Sequence, residues 1–178
     1  MIRRIVIIGP ESTGKSTLSR QLADHYRTSW APEYARQYLE TLGRPYEKED
    51  LRKIAEGQLY LEQQALQSSN GRLVFFDTNL QVIRVWSEHK YRDCDPWILR
   101  QLACNPVDQY LLTQVDIPWQ EDPQREYPDP AMRGYFYRLF HSIAVDSGLP
   151  WADIHGSYQM RFELAVQAVD ALLAGSPQ

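Results

Sequence analysis

The sequence predicts an α/β protein in which a parallel sheet of about five strands carries helices on both faces. The first observation behind this prediction is the segment from Ile2 to Ile8, which ends in four consecutive β-branched residues and is typical of a parallel strand covered on both sides. The second is the alternation of short apolar strands with amphipathic helices along the rest of the chain, as in βαβ units. Because ligands of such open sheets lie at the carboxyl ends of the strands, we expect the functional residues there.

The individual elements follow from apolar periodicity and from the breaks in it. A glycine-bearing turn follows the first strand, and the helix after that turn has Leu18, Leu22 and Ala23 on one side. Asn70-Gly71 breaks the chain before its next clear strand. The predicted strands are Ile2–Ile8, Thr28–Ala31, Leu73–Asp77, Gln109–Thr113 and Pro150–His155. The predicted helices are Lys15–Arg27, one beginning near Pro32-Glu33, Glu47–Ser68, Leu80–Glu88, Pro96–Ala103, Gly134–Asp146 and Phe162–Leu173, with Ala174–Gln178 as a frayed tail.

The composition favours one compact domain over residues 1–178. The chain is 43% hydrophobic, enough for a sizeable core, and its net charge of −4 argues against a general affinity for nucleic acid. Cys94 and Cys104 form no CxxC pair and are expected to be reduced thiols of a cytoplasmic protein. The N-terminal apolar run is too short for a signal sequence or a membrane span. We therefore expect neither a nucleic-acid nor a membrane partner, while the oligomeric state stays open.

The turn after the first strand carries the strongest motif. Gly9-Pro-Glu-Ser-Thr-Gly-Lys-Ser16 matches the phosphate-binding-loop pattern G-x-x-x-x-G-K-[ST] between a strand and a helix. Its glycines let backbone N–H groups turn around a phosphate, Lys15 brings a mobile charge, and the Ser16 hydroxyl coordinates Mg²⁺. The motif predicts a P-loop NTPase fold and a site for ATP and Mg²⁺. The residues assigned to the nucleotide are Gly9, Glu11, Ser12, Thr13, Gly14, Lys15, Ser16 and Thr17.

Asp77 ends a strand of four apolar residues and is the second predicted partner of Mg²⁺, directly or through water. The alternative interpretation is an aspartate that only caps the following helix. The nearby phosphate loop favours the metal role. Whether Asp77 or Glu33 acts as a general base is left open by the sequence.

The segment from Gln114 to Arg133 is predicted to be a lid. It holds four prolines, five acidic residues and two arginines, with little apolar periodicity, and a long irregular segment in a compact domain is usually functional. Arg125 and Arg133 are the predicted pair that neutralises charge on a transferred phosphoryl group, with Asp122 orienting them. The alternative is a solvated loop with scattered charges.

The predicted acceptor side follows the second strand. Glu33 is placed to accept hydrogen bonds from a sugar hydroxyl or to remove its proton, and Arg36 lies on the same helical face. A surface Glu–Arg pair that opens a helix is the competing interpretation. Tyr34, Tyr38, Tyr60 and Trp86 are candidates for the walls of a pocket for a planar ring, although core packing explains each of them equally well.

The phosphate loop alone fits a kinase, a GTPase switch or a motor ATPase. The chain has no Asn-Lys-x-Asp guanine-reading motif, it is short for a ring-forming ATPase, and its lid arginines favour a kinase of small molecules. A regulatory module that hydrolyses ATP slowly is the alternative from a different class. The preference for ATP over GTP is not fixed by these residues.

Four segments together resemble the NadR-type nicotinamide riboside kinases, which are related to nucleoside and nucleotide monophosphate kinases. They are G-P-E-S-T-G-K-S-T-L, P-E-Y-A-R, F-F-D-T-N and the lid motif D-I-P-W-x-x-D-x-x-R with a further arginine eight residues on. The resemblance extends from Arg4 to about Leu172. It implies transfer of the ATP γ-phosphate to the 5′-hydroxyl of nicotinamide riboside, which gives nicotinamide mononucleotide.

The resemblance also implies roles for single residues. Lys15, Ser16 and Thr17 hold the triphosphate and metal, and Asp77 serves the magnesium or the acceptor hydroxyl. The acceptor is faced by Glu33 and Arg36, and the lid is closed by Arg125 and Arg133. This sequence departs from the family in two ways. Pro32 stands where the best-known members have a ring-stacking tryptophan, and no histidine sits in the HxGH motif of their adenylyltransferase domain, so that second activity is not expected.

Overall fold

The computed structural model describes residues 2–175, and in them five parallel strands form one sheet in the order β2-β3-β1-β4-β5. The predicted α/β architecture is therefore confirmed. The strands are β1 Arg3–Ile8, β2 Trp30–Ala31, β3 Leu73–Asp77, β4 Gln109–Thr113 and β5 Trp151–Ile154. The helices are α1 Lys15–Tyr26, α2 Tyr34–Leu42, α3 Lys48–Ser68, α4 Leu80–Tyr91, α5 Pro96–Cys104, α6 Pro130–Asp146 and α7 Tyr158–Ala174.

The central strand β1 shows why the sheet is covered on both faces. Val6 and Ile8 point into a core formed with α3, α4 and α6, whereas Ile5 and Ile7 point into a second core formed with α1 and α7. All four side chains are fully buried. Alternation of side chains along a strand thus turns one continuous apolar run into the centre of two cores.

A third, smaller core lies beside the sheet and joins α3, α4 and α5 through Leu51, Ile54, Leu80, Ile83 and Ile98. It matters for function because it holds together the amino-terminal parts of α3 and α4, whose residues line the same cavity as the phosphate loop. Helix α2 packs on α3 and contributes no buried residue of its own.

The predicted carboxyl-terminal boundary of the lid is wrong, because helix α6 begins at Pro130 and not at Gly134. Asp129 caps this helix by accepting a hydrogen bond from the backbone N–H of Met132, and Pro130 occupies the first turn, where its missing N–H costs nothing. Arg133 is therefore a buried helical residue, and the irregular lid covers residues 114–129.

The chain end differs slightly from the prediction. Ala174 still belongs to α7, and residues 176–178 of the predicted tail lie outside the described residues. Within residues 2–175, no helix combines the length and the apolar character that crossing a membrane requires.

Candidate functional site

The phosphate loop, residues 9–16, connects β1 to α1 and is rigidly built. Gly9 has a φ of 143°, and a Cβ there would lie 2.4 Å from the hydroxyl oxygen of Thr113, so only glycine fits between β1 and β4. The Thr13 hydroxyl lies 2.7 Å from that of Thr113 and donates to the carbonyl of Pro10. Arg161 donates to the Thr13 carbonyl from the opposite side. The loop is therefore fixed by contacts to β4 and α7.

The start of α1 is open to an anion. Its N-cap is Gly14, in the left-handed conformation with a φ of 78°, and no side chain caps the first N–H groups. Free N–H groups at a helix N-terminus favour a bound phosphate. The Lys15 ammonium lies over the same loop and donates to the Pro10 carbonyl at 2.7 Å.

Asp77 lies beneath the loop at the carboxyl end of β3 and is 1% exposed. Burial raises the pKa of its carboxyl, the charge of Glu33 raises it further, and Lys15 and Ser16 act in the opposite direction. Its Oδ1 atom is buried without a hydrogen-bond partner. A buried carboxylate oxygen without a partner beside a serine hydroxyl is a suitable ligand set for Mg²⁺.

Among residues 2–175, no group of three or more His, Cys, Asp or Glu side chains could hold a metal ion. The site fits Mg²⁺ all the same, since this ion usually takes only one or two protein ligands and completes its shell with water and phosphate oxygens. Ser16 and Asp77 would supply those ligands.

A cavity of about 200 Å³ extends from the phosphate loop to a second, mostly apolar compartment between α2, α3 and α4. Glu33 and Arg36 at the start of α2 line the same cavity, and we call this charged stretch the junction of its two parts. The compartment has the character of a small-ligand site, in which a few polar groups stand among apolar walls. Its walls are formed by Leu39, Tyr46, Leu51, Ile54, Gln58, Val82, Ile83 and Trp86.

Gln58 is the buried polar group of this compartment. Its side-chain oxygen accepts a hydrogen bond of 2.9 Å from the backbone N–H of Tyr34, which fixes the start of α2 directly after Glu33. Its Nε2 atom is buried without a partner. The Tyr34 ring packs over Gly57, where a Cβ would lie only 2.0 Å from it. Tyr34 therefore anchors α2 and does not line the cavity.

The lid lies over the phosphate loop. Arg125 donates to the Ser12 hydroxyl at 3.2 Å, and Arg133 donates to the Ser12 carbonyl, also at 3.2 Å. Asp122 joins the lid to α2 through an ion pair of 2.9 Å with Arg36. Trp119 lies near both arginines, whose guanidinium carbons are 5.8 Å (Arg125) and 5.6 Å (Arg133) from its ring centre.

Most of the predicted site residues meet around this one cavity. Those that line it are Gly9, Glu11, Ser12, Thr13, Gly14, Lys15, Ser16, Thr17, Glu33, Arg36 and Arg125. Asp77, Asp122 and Arg133 do not line it. They contact residues that do, namely Ser16, Arg36 and Ser12 in that order. Tyr60, like Tyr34, does not line the cavity: its side chain is 62% exposed and accepts a hydrogen bond from Gln64 on the outer face of α3. We therefore withdraw its assignment to the acceptor.

Three residues of the site were missed by the sequence analysis. Gln58 is one helical residue among many, and Tyr127 sits in an irregular segment whose packing has no local signature. Arg161 is 2% exposed and ties the phosphate loop to Gln114 and Asp116. An arginine among apolar residues of a C-terminal helix was the only available signal, because arginine is seldom buried without partners.

Comparison with curated proteins finds similar sequences that include two proteins named trifunctional NAD biosynthesis/regulator protein NadR. The protein from Salmonella typhimurium is 26% identical over 178 residues, and that from Escherichia coli is 26% identical over 180. Each alignment covers 97% of this chain and 43% of the relative. The chain thus spans less than half the length of these curated relatives. The predicted resemblance to NadR is confirmed.

Solved structures show the same fold. A NadR protein in complex with NR superposes with a TM-score of 0.79 at 22% identity, covering 99% of this chain and 53% of the other. A thymidylate kinase from Ehrlichia chaffeensis gives a TM-score of 0.62 at 15% identity, with 96% and 98% covered. A deoxyadenosine kinase from M. mycoides with bound dATP gives 0.57 at 16% identity, with 94% and 99% covered.

A family model matches the greater part of the chain. It is the AAA_28 family, described as an AAA domain, and it matches residues 4–161. This range includes the phosphate loop, Asp77, Arg125, Arg133 and Arg161. The protein belongs to the AAA_28 family of AAA domains.

Proposed function

We propose that this protein is an ATP-dependent kinase that transfers the γ-phosphate to the 5′-hydroxyl of nicotinamide riboside, giving nicotinamide mononucleotide. The single observation that carries the proposal is the continuous cavity that joins the phosphate loop to the apolar compartment, with Glu33 and Arg36 at the junction. A pure ATPase needs no second compartment beside the γ-phosphate. The NadR relatives, one solved with NR and another with NAD and AMP-PNP, support this choice of acceptor.

In the proposed mechanism the chain acts mainly by positioning and by neutralising charge. The free N–H groups of α1 and the Lys15 ammonium hold the phosphates in line with the compartment. Ser16 and Asp77 would hold Mg²⁺, which when bound neutralises part of the triphosphate charge. Arg125 reaches the transferred group from the lid and stabilises the charge that spreads over its oxygens in the transition state.

Glu33 is the proposed partner of the acceptor hydroxyl. It occupies the N-cap position of α2, where its side chain makes no capping hydrogen bond, it lines the cavity, and its charge raises the pKa of Asp77. Since Asp77 is buried under the loop and suited to the metal, Glu33 is the better-placed carboxylate to orient the hydroxyl and accept its proton. Arg36, held by Asp122, borders the same junction.

A second candidate is phosphorylation of another nucleoside. It is favoured by Pro32, which replaces a ring-stacking tryptophan of the best-known family members. In this chain the indole that borders the compartment is Trp86 of α4, so a planar base would meet a different wall.

Steady-state assays with ATP and Mg²⁺ against nicotinamide riboside, deoxyadenosine, thymidine and thymidine monophosphate test the proposal. We expect nicotinamide riboside to have the highest kcat/KM by at least about tenfold. Replacement of Glu33 by Gln keeps the shape and removes the basicity, so turnover should fall by roughly 10²-fold, as for a lost general base. ATP binding in calorimetry should be nearly unchanged, because the phosphate loop and Asp77 hold the nucleotide.

Two further results decide between the alternatives. Lys15→Ala is the negative control and should lose transfer by about a hundredfold or more while the thermal unfolding midpoint stays the same. ATP hydrolysis without transfer to any acceptor would identify a regulatory module instead. Normal turnover of Glu33→Gln would mean that Glu33 is only a surface partner of Arg36, whose contribution to stability is ~0–1 kcal/mol.

A further inference from the structure

The lid is fastened to the phosphate loop by a residue that the loop motif does not specify. One oxygen of Glu11, Oε2, accepts hydrogen bonds from the backbone N–H groups of Glu126 at 3.0 Å and Tyr127 at 3.2 Å. Glu11 is half-buried, and burial raises the pKa of its carboxyl while the two N–H groups act against that rise. On the motif alone we assigned Glu11 to the nucleotide, but its carboxylate is engaged with the lid.

The fastened segment leads to the wall of the acceptor compartment. The Tyr127 ring lies 5.5 Å from that of Trp86 and 5.0 Å from that of Phe136, and Trp86 is 5.3 Å from Phe136. These three rings form one cluster, in which Trp86 also lines the cavity. Phe136 is buried in the core and fixed on α6. Tyr127 is the member of the cluster that comes from the lid.

Ser12, the neighbour of Glu11, faces a different part of the lid. Its hydroxyl accepts hydrogen bonds from the N–H of Gln120 at 2.9 Å and from Arg125 at 3.2 Å. Its φ of 56° is unusual for a serine and directs the side chain away from the loop interior. Ser12 thus binds the lid at Gln120 and Arg125, whereas Glu11 binds it at Glu126 and Tyr127.

We infer that Glu11 is a positioning residue for the acceptor: it fixes the lid backbone at Glu126 and Tyr127, so that Tyr127 supports Trp86 against the planar ring of a nucleoside. This inference rests on the proposed kinase function for its substrate. It places the control of acceptor affinity in the phosphate loop, at a residue that acts on the acceptor through the lid. The physical reason is that a half-buried indole is well oriented only when a neighbour packs on its other face.

Kinetics of Glu11→Ala, Glu11→Gln and Tyr127→Ala test the inference, with Glu121→Ala as the matched control for a lid glutamate that is exposed. Loss of the two backbone hydrogen bonds in Glu11→Ala should raise the KM of the acceptor by about tenfold. The KM of ATP should stay within about twofold. The Gln side chain still offers a carbonyl to the same N–H groups, so Glu11→Gln should restore the acceptor KM, and Tyr127→Ala should reproduce the defect.

A second measurement does not depend on the identity of the acceptor. Trypsin cuts after Arg125, at the bond to the residue whose N–H donates to Glu11. In the presence of an ATP analogue, cleavage at Arg125 should be several times faster in Glu11→Ala than in wild type, and unchanged in Glu121→Ala. If no nucleoside is phosphorylated at all, the proposed function fails. The cleavage rate at Arg125 still tests whether Glu11 holds the lid through its hydrogen bonds to Glu126 and Tyr127.

Three outcomes would overturn the inference. Equal increases in the KM of ATP and of the acceptor would make Glu11 a nucleotide contact. A defect of Glu11→Gln as large as that of Glu11→Ala, with normal Tyr127→Ala, would make it a direct acceptor contact. Unchanged cleavage at Arg125 in Glu11→Ala would show that these two hydrogen bonds do not hold the lid.

Discussion

Three arginines, Arg125, Arg133 and Arg161, converge on the carbonyl and hydroxyl oxygens of the phosphate loop. Arg161 is paired with Asp116, and Arg125 lies 3.8 Å from Asp122. Arg133 has no carboxylate partner among residues 2–175; burial lowers the pKa of its guanidinium, and the charges of the other two arginines lower it further. Its Nε atom is buried without a partner. So much positive charge in one place is best balanced by a bound polyphosphate.

Because Arg125 belongs to the lid and Arg133 to α6, we predict that they act on different kinetic parameters. A lid side chain that meets the phosphoryl group mainly in the transition state affects kcat, so Arg125→Ala should lower kcat by about 10²-fold with a nearly unchanged KM for ATP. Arg133 is fixed in α6 whether the lid is open or closed. Arg133→Ala should therefore mainly raise the KM of ATP.

Steady-state kinetics with varied ATP separates the two effects. Arg84→Ala is the control, since Arg84 is a half-exposed arginine on α4 that pairs only with Glu88 four residues on. If both variants changed the same parameter to the same extent, the separation of the arginines between lid and helix would have no functional meaning.

At the scale of elements, local patterns were enough to predict the strands and the phosphate loop. Strands β3 and β4 have the predicted bounds, because each is a short run of three or four consecutive apolar residues that ends at a polar residue, Asp77 or Thr113. The lid boundary was wrong by four residues because prolines were taken as a sign of irregular chain. Pro130 follows the capping residue Asp129, and in that position proline starts a helix.

The acceptor compartment was harder to predict, for a physical reason. Its walls come from helix faces that meet only in the folded chain, and periodicity shows that a helix has a buried face but not which helix packs against it. Tyr60 and Trp86 looked equivalent in the sequence. In the structure, α3 turns Tyr60 outward and α4 turns Trp86 into the cavity.

The contact of α2 with α3 depends on the absence of a side chain at Gly57. An added Cβ would lie 2.0 Å from the Tyr34 ring, so Gly57→Ala must displace the start of α2 together with Glu33. We expect a loss of ~1–3 kcal/mol of stability from overpacking, reduced by the better helix propensity of alanine of roughly 1 kcal/mol. We also expect a clear increase in the KM of the acceptor, measured by kinetics beside a thermal unfolding curve.

Gly134→Ala is the matched control, because it places the same methyl group in a helix where the nearest atom, in the side chain of Arg138, is 3.5 Å away. It should keep or slightly raise the unfolding midpoint. A Gly57→Ala variant with wild-type stability and a wild-type acceptor KM would show that α2 can shift without consequence for the site.

At the scale of the whole molecule, the stability of the protein should decline toward pH 8 because of a buried acid. Glu62 on α3 is 6% exposed, and burial raises the pKa of its carboxyl to about 8, with Gln58 and Arg4 only partly opposing the rise. In the unfolded chain the same group titrates near 4.5. Between pH 4.5 and about 8 the Glu62 carboxyl keeps its proton in the folded state but loses it in the unfolded state. The contribution of Glu62 to the free energy of unfolding is therefore greatest at low pH and falls as the pH rises through this window.

Replacement of Glu62 by Gln removes this titration and should flatten the pH dependence. A single group contributes a slope of up to about 1.4 kcal/mol per pH unit within its window. Urea unfolding at pH 5, 6.5 and 8 measures it, with the exposed Glu56→Gln on the same helix as the control. Parallel pH profiles for wild type and Glu62→Gln would mean that Glu62 is ionised in the folded protein. Asp77 adds a slope of the same sign at lower pH, since burial raises its pKa as well.

Helix α2 carries Glu33 and Arg36 to the junction of the site, yet it has no buried residue. It is held by the Tyr34 ring on Gly57, by the bond to Gln58, and by the side-chain contacts of Arg36 with Asp122 and Tyr38 with Asp50. An element with so little buried surface opens locally at a fraction of the free energy of global unfolding. Its amide hydrogens will therefore exchange with solvent long before those of the sheet.

A ligand that binds only the closed arrangement of α2 adds RT ln(1 + [L]/Kd) to that local opening free energy, about 2.7 kcal/mol at a hundredfold excess over Kd. The exchange rates of these few amides thus report occupancy of the compartment directly, without turnover and without a nucleotide. Because α2 is weakly attached and borders the compartment, binding of a candidate acceptor should slow amide exchange most in this helix.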